Sequence, residues 1–255
     1  MPRVDADKAT LYYESHGEGP AIVFAHGGGG NAASWWQQVP HFADRYRVIT
    51  FDHRGFGRSK CEPEDVLAAY FADDMIRVLD DASIDQAVLI SQSMGGTTAI
   101  LTALAHPDRV AGIVMGNASG PVLTPEVVEA LSNIEERAKK AGGLSNLALA
   151  TDLAERDPAL VFLYAQLSGL NPQRPLSVAA LNAKIDLATL EALTMPIIMV
   201  TTDGDMLLPA PAIRSVAPYL KAEVVEIAGS GHSPYFEKPD EYNTVIDEFL
   251  LKIGW

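Results

Sequence analysis

The sequence predicts an α/β fold with a mostly parallel, doubly wound β-sheet that helices cover on both faces. Short, continuous apolar runs recur along the chain, and segments with helical periodicity separate them. Apolar runs of this kind are typical of strands that are buried on both faces of a parallel sheet. Because the strands alternate with helices, we expect helices to pack on each side of the sheet.

The order of the elements follows from these runs. The predicted strands cover residues 9–15, 21–25, 48–51, 87–90, 112–115, 197–200 and 222–227. The predicted helices cover residues 65–80, 94–105 and 235–253. The second of these helices ends before His106-Pro107, because the residue before a proline disfavours the helical conformation.

One long segment breaks the alternation of strands and helices. Residues 121–193 contain helical patches at 126–140 and 144–155 and no convincing strand, and Pro158 interrupts the chain after the second patch. We therefore expect this segment to be an inserted helical cap over the carboxyl edge of the sheet. The remaining two parts of the chain are expected to form one core: residues 1–120 and 194–255.

Composition limits the classes of protein to which the chain can belong. Its 255 residues are 48% hydrophobic, which is ordinary for a soluble globular protein and allows a sizeable core without disulfides. The single cysteine, Cys61, cannot form an intrachain disulfide and is expected in a loop. We expect a cytoplasmic protein without a membrane partner, because the sequence has neither a signal-peptide pattern nor an apolar run of bilayer length. The net charge of −14 argues against nucleic acid, whose phosphates it would repel.

The segment Ser91-Gln92-Ser93-Met94-Gly95-Gly96 joins a predicted strand to a predicted helix. A catalytic serine of the Gly-x-Ser-x-Gly type requires this strand–turn–helix setting, with small residues on either side so that the strand and the helix can approach closely. Ser91 stands where that pattern has glycine. Ser93 is therefore a candidate nucleophile, and the alternative is a serine that only caps the helix.

A glycine run, His26-Gly27-Gly28-Gly29-Gly30, follows the strand predicted at 21–25. An oxyanion hole needs two backbone N–H donors directed at one oxygen, and the amides of Gly28 and Met94 are the candidates. The run lacks the glycine spacing of phosphate-binding loops, so we expect no nucleotide cofactor. His26 is expected to be structural rather than catalytic.

An acid and a histidine follow the last two predicted strands. His232 lies in the small-residue segment Gly229–Ser233, where its imidazole could accept a serine proton near neutral pH. Asp203 and Asp205 both follow the strand at 197–200, and either could orient that imidazole. Two carboxylates without further oxygen ligands make a poor calcium site, so we expect no metal.

The chain order serine, acid, histidine, each just beyond an apolar strand, is that of the α/β-hydrolases. The sequence resembles this superfamily over nearly its whole length. The resemblance rests on four segments: His26–Gly30, Asp52–Ser59, Ser91–Gly96, and Gly231–Pro234 with Glu237-Lys238-Pro239.

The resemblance implies roles that the residues alone leave open. In the family the acid usually lies four residues before a proline, and Pro209 then makes Asp205 the acid, with Asp203 as the runner-up. Some relatives carry the acid after the preceding strand, where this chain has Asn117. The loop Asp52–Ser59 is usually structural. A serine nucleophile excludes the branches of the family that need an aspartate nucleophile.

These observations predict a serine hydrolase that cleaves a small-molecule ester or lactone through the triad Ser93, Asp205 and His232. One alternative is C–C bond hydrolysis of ring-fission products, which usually needs an arginine for the substrate carboxylate; the cap offers Arg137, Arg156 and Arg174. Perhydrolase chemistry on the same triad is another. A different class is a slow-turnover receptor, which binds its ligand on the same fold.

Overall fold

The structure is a computed structural model that describes residues 2–132, 134–172, 183 and 185–255. Nine strands of the described residues form one sheet: β1 (Arg3–Ala6), β2 (Ala9–His16), β3 (Ala21–Ala25), β4 (Arg47–Asp52), β5 (Lys60–Cys61), β6 (Ala87–Gln92), β7 (Val110–Gly116), β8 (Ile197–Thr202) and β9 (Glu223–Ile227). The strand order is β1-β2-β4-β3-β6-β7-β8-β9, and β5 pairs with β2 outside this path. All seven predicted strands are present.

The sheet is parallel along the path β4-β3-β6-β7-β8-β9. Strand β2 pairs antiparallel with β1, β4 and β5. In the parallel part, Ala25 pairs with Ser91, and Gly116 pairs with both Gln92 and Val200. Consecutive strands of this part therefore end level with one another, and the loops that follow them meet at one edge of the sheet. This mostly parallel α/β architecture confirms the predicted fold class.

The α-helices of the described residues are α1 (Gln38–Phe42), α2 (Phe71–Asp81), α3 (Met94–Ala105), α4 (Pro125–Leu131), α5 (Ile134–Lys140), α6 (Leu153–Arg156), α7 (Pro158–Gly169), α8 (Ala210–Leu220), α9 (Pro234–Glu237) and α10 (Pro239–Ile253). Short 3-10 helices lie at Ala32–Trp35, Pro63–Asp65, Ala68–Tyr70, Pro107–Arg109, Leu144–Leu147 and Leu187–Ala192. None of the helices described is both long enough and apolar enough to cross a membrane.

The buried side chains form a core on each face of the sheet. On one face, residues of α2, α3 and α8 pack together, among them Met75, Ile100 and Ile213. On the other face, Phe42 from α1 and Ile246 from α10 belong to a second cluster. The two clusters show why the strands between them are apolar on both sides, and why the sequence carries continuous apolar runs instead of an alternating pattern.

Several predicted helices have different bounds in the structure. The helix predicted at 65–80 begins at Phe71, because Leu67 is extended (φ −128°, ψ 137°) and separates two 3-10 turns. The helix predicted at 235–253 is divided at Lys238 (φ −135°), which precedes Pro239 and so disfavours the helical region. The patch at 126–140 is divided near Ser132, which is extended. Cys61, expected in a loop, is half-buried in β5.

The segment 121–193, which we predicted as the cap, contains no strand among its described residues, and residues 133, 173–182 and 184 lie outside the description. The patch predicted at 144–155 corresponds to a 3-10 helix and α6. Pro158 begins α7 and does not interrupt a helix. Proline suits this first helical position because its missing N–H needs no partner there, and the Asp157 carboxylate accepts the Leu160 N–H at 2.9 Å.

Helix α3 packs against the sheet at backbone contact distance. A methyl group on Gly95 would overlap the carbonyl oxygen of Ala25 in β3, and one on Gly96 would lie 2.6 Å from the Ala118 Cβ. Neither glycine has a positive φ, so it is the space and not the backbone conformation that requires glycine at these two positions. This contact fixes the height of the first turn of α3 above the sheet.

We expect Gly95→Ala to lower the free energy of unfolding by about 1–3 kcal/mol or more, because backbone atoms cannot move aside as a flexible side chain can. Gly169→Ala is the matched control. It lies in α7 with no atom within 4 Å of an added methyl group, so we expect an unchanged or slightly increased stability. Urea unfolding of both variants measures the difference, and equal stabilities would contradict this account of the helix–sheet contact.

Candidate active site

Ser93 lies on a sharp turn between β6 and α3, at the carboxyl edge of the sheet. Its φ of +50° is in the left-handed region, which non-glycine residues seldom adopt and which is common at functional sites. Its N–H donates to the carbonyl of Gly116 in β7 at 2.9 Å, and its own carbonyl accepts the Gly96 N–H at 2.9 Å. These bonds hold the strained turn between a neighbouring strand and the first turn of the helix.

Ser91, which stands where the usual motif has glycine, lies in β6 and is fully buried. Its hydroxyl donates to the carbonyl oxygen of Val114 in β7 at 2.9 Å. The hydroxyl therefore has a partner inside the sheet, and the turn at Ser93 forms with serine at this position.

The glycine loop after β3 passes directly beside Ser93. A methyl group on Gly27 would lie 3.1 Å from the Ser93 Cβ and would overlap the side-chain amide oxygen of Gln92. The Gly27 carbonyl accepts hydrogen bonds from the Gly30 N–H at 3.0 Å and from the His26 ring at 2.7 Å. In a trans peptide the N–H points opposite to the carbonyl, so these two bonds also set the direction of the Gly28 N–H.

His26 is structural, as expected. The ring is fully buried, and its Nε2 accepts the N–H of His53 at 3.0 Å, so Nδ1 carries the proton that is donated to Gly27. Burial lowers the pKa of His26, which favours the neutral ring, and the two hydrogen bonds select this tautomer. Its hydrogen bonds connect the glycine loop to the loop after β4.

His232 and Asp205 are in direct contact. The ring Nδ1 of His232 lies 2.7 Å from Oδ2 of Asp205, and both side chains are at least nine-tenths buried. The other oxygen of Asp205, Oδ1, accepts the N–H groups of Leu207 at 2.7 Å and Leu208 at 2.9 Å. Asn117 adds a fourth donor, with its Nδ2 2.7 Å from Oδ2.

These donors determine the charge state of Asp205. Burial raises the pKa of a carboxyl group, but the charge and the hydrogen bond of His232, the Asn117 amide and the Leu208 N–H outweigh burial and lower the pKa of Asp205 below its ordinary value. The carboxylate is therefore ionised at neutral pH and can stabilise a positively charged imidazole.

Asp203, the runner-up for the acid, has a different partner. Its Oδ1 accepts the N–H of Gly229 at 2.7 Å, in the turn that leads into the His232 loop, and its side chain is exposed. Of the two acids that the sequence left open, Asp205 is the one that the structure places against the His232 ring.

Two residues that the sequence reasoning missed tie the loops together. Gln92, next to Ser93, donates from Nε2 to the backbone carbonyl of His232 at 3.0 Å. Asn117 follows β7, has a φ of +43°, and donates to both Asp205 and Thr202. The sequence signal that could have identified them is their position, because each is an amide residue at the carboxyl end of a predicted strand. In the structure both side chains are buried.

The predicted cap segment contacts the glycine loop and the loop of His232. Asn171, just after α7, donates to the carbonyls of Gly29 and Gly30 at 3.1 Å each. Tyr164 in α7 has its hydroxyl 3.3 Å from the Ser233 hydroxyl, and its ring packs edge-on against Phe236.

The two described arginines among the three cap candidates are already engaged. Arg137 donates to the carbonyls of Met206 at 2.9 Å and Ala130 at 2.7 Å. Arg156 forms an ion pair with Asp152 at 2.8 Å. Arg174 lies outside the described residues.

The loop Asp52–Ser59 has the structural role that the resemblance implies. The Asp52 carboxylate accepts the N–H groups of Ala32 and Arg58 at 2.6 Å each, which joins this loop to the end of the glycine run. Arg54 forms a fully buried, two-bond ion pair with Asp74 of α2, at 2.6 and 2.7 Å. Removing one partner of such a pair leaves an uncompensated buried charge, so the pair fixes this loop to α2.

Comparison with known proteins places this arrangement in a family. Residues 20–193 match the model of the alpha/beta hydrolase fold family. The chain is 30% identical to RutD of Caulobacter vibrioides, named as a candidate carbamate hydrolase, over 94% of this chain and 95% of that protein. It is 23% identical to 3-oxoadipate enol-lactonase 2 of Acinetobacter baylyi, over 98% of this chain and 96% of that one.

Among solved structures, the chain resembles Est816, which is described as an N-acyl homoserine lactone degrading enzyme. The TM-score is 0.80 at 28% identity, and the match covers 97% of this chain and 100% of that chain. The family model, the relatives of full length and the shared architecture agree with one another. The chain belongs to the α/β-hydrolase family and is an enzyme of the hydrolase type.

Proposed function

We propose that this enzyme is a serine hydrolase that cleaves a carboxylic ester or lactone of a small molecule through an acyl-enzyme on Ser93. The contact between His232 and Asp205 is the observation that carries the proposal. It lies in a loop whose backbone accepts a hydrogen bond from Gln92, the residue before Ser93. An imidazole that is oriented by a buried carboxylate is the general base that a weakly nucleophilic hydroxyl needs.

In the proposed mechanism, the Ser93 hydroxyl attacks the substrate carbonyl while His232 accepts its proton. The N–H groups of Gly28 and Met94 then stabilise the negative oxygen of the tetrahedral intermediate. His232 returns the proton to the alkoxide, so that Ser93 stays acylated. The alcohol leaves when the substrate is an ester and remains attached to the acyl chain when it is a lactone. A water molecule, deprotonated by the same histidine, attacks the acyl-enzyme and releases the acid and the free serine.

The engaged arginines support ester or lactone cleavage over C–C cleavage. A ring-fission substrate carries a carboxylate that needs a cation, and both described candidates, Arg137 and Arg156, already bind carbonyl or carboxylate oxygens. Relatives named or described as lactone-cleaving enzymes point to the same class of substrate. In this proposal the segment 121–193 is the cap, and its residues select the acyl and alcohol groups.

We expect Ser93→Ala to lower p-nitrophenyl acetate hydrolysis by about 10⁴-fold or more, because the nucleophile is lost. Ser91→Gly is the matched control, since its hydroxyl bonds only inside the sheet, and it should retain most of the turnover. Steady-state rates of purified, folded variants make the comparison. Retained turnover in Ser93→Ala would contradict the assignment.

A substrate panel separates the proposed reaction from its alternatives. We expect at least one ester or lactone to be turned over at about 1–1,000 per second, the range of ordinary enzymes, and a ring-fission dienoate to react far more slowly. Aryl carbamates belong in the panel because of the similarity to RutD. Binding of every ester and lactone with turnover far below this range would favour a receptor, and preference for the dienoate would favour C–C hydrolysis.

The Asn117 side chain offers a test by pH. Because the folded-state pKa of Asp205 is lowered, its stabilising contribution is present above the unfolded value of about 3.9 and is lost as the pH falls through the folded value. We expect Asn117→Ala to lower the free energy of unfolding by about 1.5–3 kcal/mol at pH 7. The difference from the wild type should shrink below about pH 4.

Asn117→Gly is the control for backbone strain at this position, where φ is +43°. Glycine tolerates that conformation and alanine does not, so the two variants should differ by an amount that does not depend on pH. Between pH 7 and the acid range, the free energy of unfolding should therefore change by the same amount in Asn117→Ala and in Asn117→Gly. Urea unfolding at several pH values measures both effects, and a constant difference from the wild type would show that Asn117 does not stabilise the ionised acid.

A further inference from the structure

The carboxylate of Glu237 has no part in the proposed mechanism, although it is buried beside the His232 loop. Glu237 ends α9, and only 8% of the residue is exposed. Its Oε1 accepts the N–H of Gly231 at 2.9 Å and the hydroxyl of Ser230 at 3.3 Å. Its Oε2 accepts the N–H of Ala150 at 3.0 Å.

These bonds join two segments that are far apart in the sequence. Ala150 lies in the predicted cap segment, between Leu147 and α6, and Gly231 directly precedes His232. The two backbones also touch, because a methyl group on Gly231 would overlap the N atom of Ala150 and the carbonyl carbon of Leu149. The residue before the proposed general base is thus packed between the core and the cap segment, with no space for a side chain.

The chemistry of the contact requires a carboxylate. Both N–H groups are donors, so each needs an acceptor, and an ionised carboxyl group offers one oxygen to each. A glutamine of the same length would offer one oxygen and would turn an NH₂ group toward the other N–H. Burial raises the pKa of Glu237, and the hydrogen bonds from the Ala150 and Gly231 N–H groups act in the opposite direction by stabilising the ionised form.

We propose that Glu237 is a positioning residue that fixes the cap segment against the His232 loop. His232 is then held in place for catalysis only while Ala150 and Gly231 both donate to this carboxylate. This inference rests on the proposed role of His232 as the general base. On the opposite side, the Ser230 carbonyl accepts the Gly204 N–H at 3.0 Å, which ties the loop to the segment of Asp205. Glu237 links the same loop to the cap segment through Gly231 and Ala150.

The test compares Glu237→Gln with Glu241→Gln. Both variants remove one negative charge, but the Glu241 side chain is 55% exposed and lies 3.9 Å from Lys238 on the surface of α10. We expect Glu237→Gln to lower kcat for the best ester of the panel by roughly 10- to 100-fold, because small displacements of a catalytic group are costly. Glu241→Gln should stay within about twofold, as expected of an exposed charge.

Amide hydrogen exchange gives a readout that does not depend on the reaction. In Glu237→Gln we expect exchange to accelerate together at the amides of Ala150 and Gly231, and to stay unchanged in β6 and β7. In Glu241→Gln neither amide should change. If Glu237→Gln does not fold, Glu237→Asp keeps both acceptor oxygens on a shorter side chain, and it should show the same paired increase in exchange with a smaller loss of kcat.

Unchanged kcat in the folded glutamine variant, or faster exchange at Gly231 without any change at Ala150, would overturn the proposal. A loss of thermal stability with normal kcat at low temperature would also overturn it, since Glu237 would then be structural only. Failure of the proposed function can be distinguished from failure of this proposal. If the proposed function is wrong, Ser93→Ala retains its ester turnover, whatever the hydrogen exchange at Ala150 and Gly231.

Discussion

The turn at Ser93 is the constraint on which the rest of the site depends. A non-glycine residue with a φ of +50° costs of order 1–3 kcal/mol, and it persists only where the surroundings determine the conformation. Here the surroundings are a buried strand before the turn, a helix packed at backbone distance after it, and the hydrogen bond from the Ser93 N–H to Gly116. The core thus stabilises a conformation that places one hydroxyl at the edge of the sheet.

The other groups of the site reach the same edge because the sheet is parallel there. The glycine loop follows β3, Ser93 follows β6, Asn117 follows β7, Asp205 follows β8 and His232 follows β9, and these five strands are consecutive neighbours in the sheet. Buried hydrogen bonds between the loops then set their mutual positions, as Gln92 and Asn117 illustrate. Gln92 fixes the position of the His232 backbone, and Asn117 stabilises the negative charge of Asp205. Both hydrogen bonds are buried, where they are electrostatically stronger than in water.

The sequence predicted the parts of this structure that depend on local patterns. The buried strands are largely continuous apolar runs, and Ser93 and Asp205 lie just beyond two of them, β6 and β8. His232 lies just beyond β9, which is partly exposed. The strands that escaped prediction lack that signal: β1 is largely exposed, with the sequence Arg-Val-Asp-Ala, and β5 has two residues. Helix α7 escaped because Pro158 breaks a helix in most positions and begins one only in the first turn.

The contacts that could not be predicted join distant parts of the chain. Nothing in the sequence around Glu237 or Asn171 indicates that one binds Ala150 and the other binds the glycine loop, because both contacts arise only when the cap segment lies on the sheet edge. The choice between Asp203 and Asp205 was open for the same reason: it depends on which carboxylate meets the His232 ring, and not on distance along the chain.

The central claim, that Ser93 is the residue that becomes acylated, is tested most directly by covalent labelling. The protein is treated with a fluorophosphonate, its intact mass is measured, and the labelled peptide is sequenced by mass spectrometry. The account predicts one label per chain, located on Ser93, with labelling strongly slowed in a His232→Ala variant. A label on another residue, or no label on a protein that still hydrolyses esters, would contradict it.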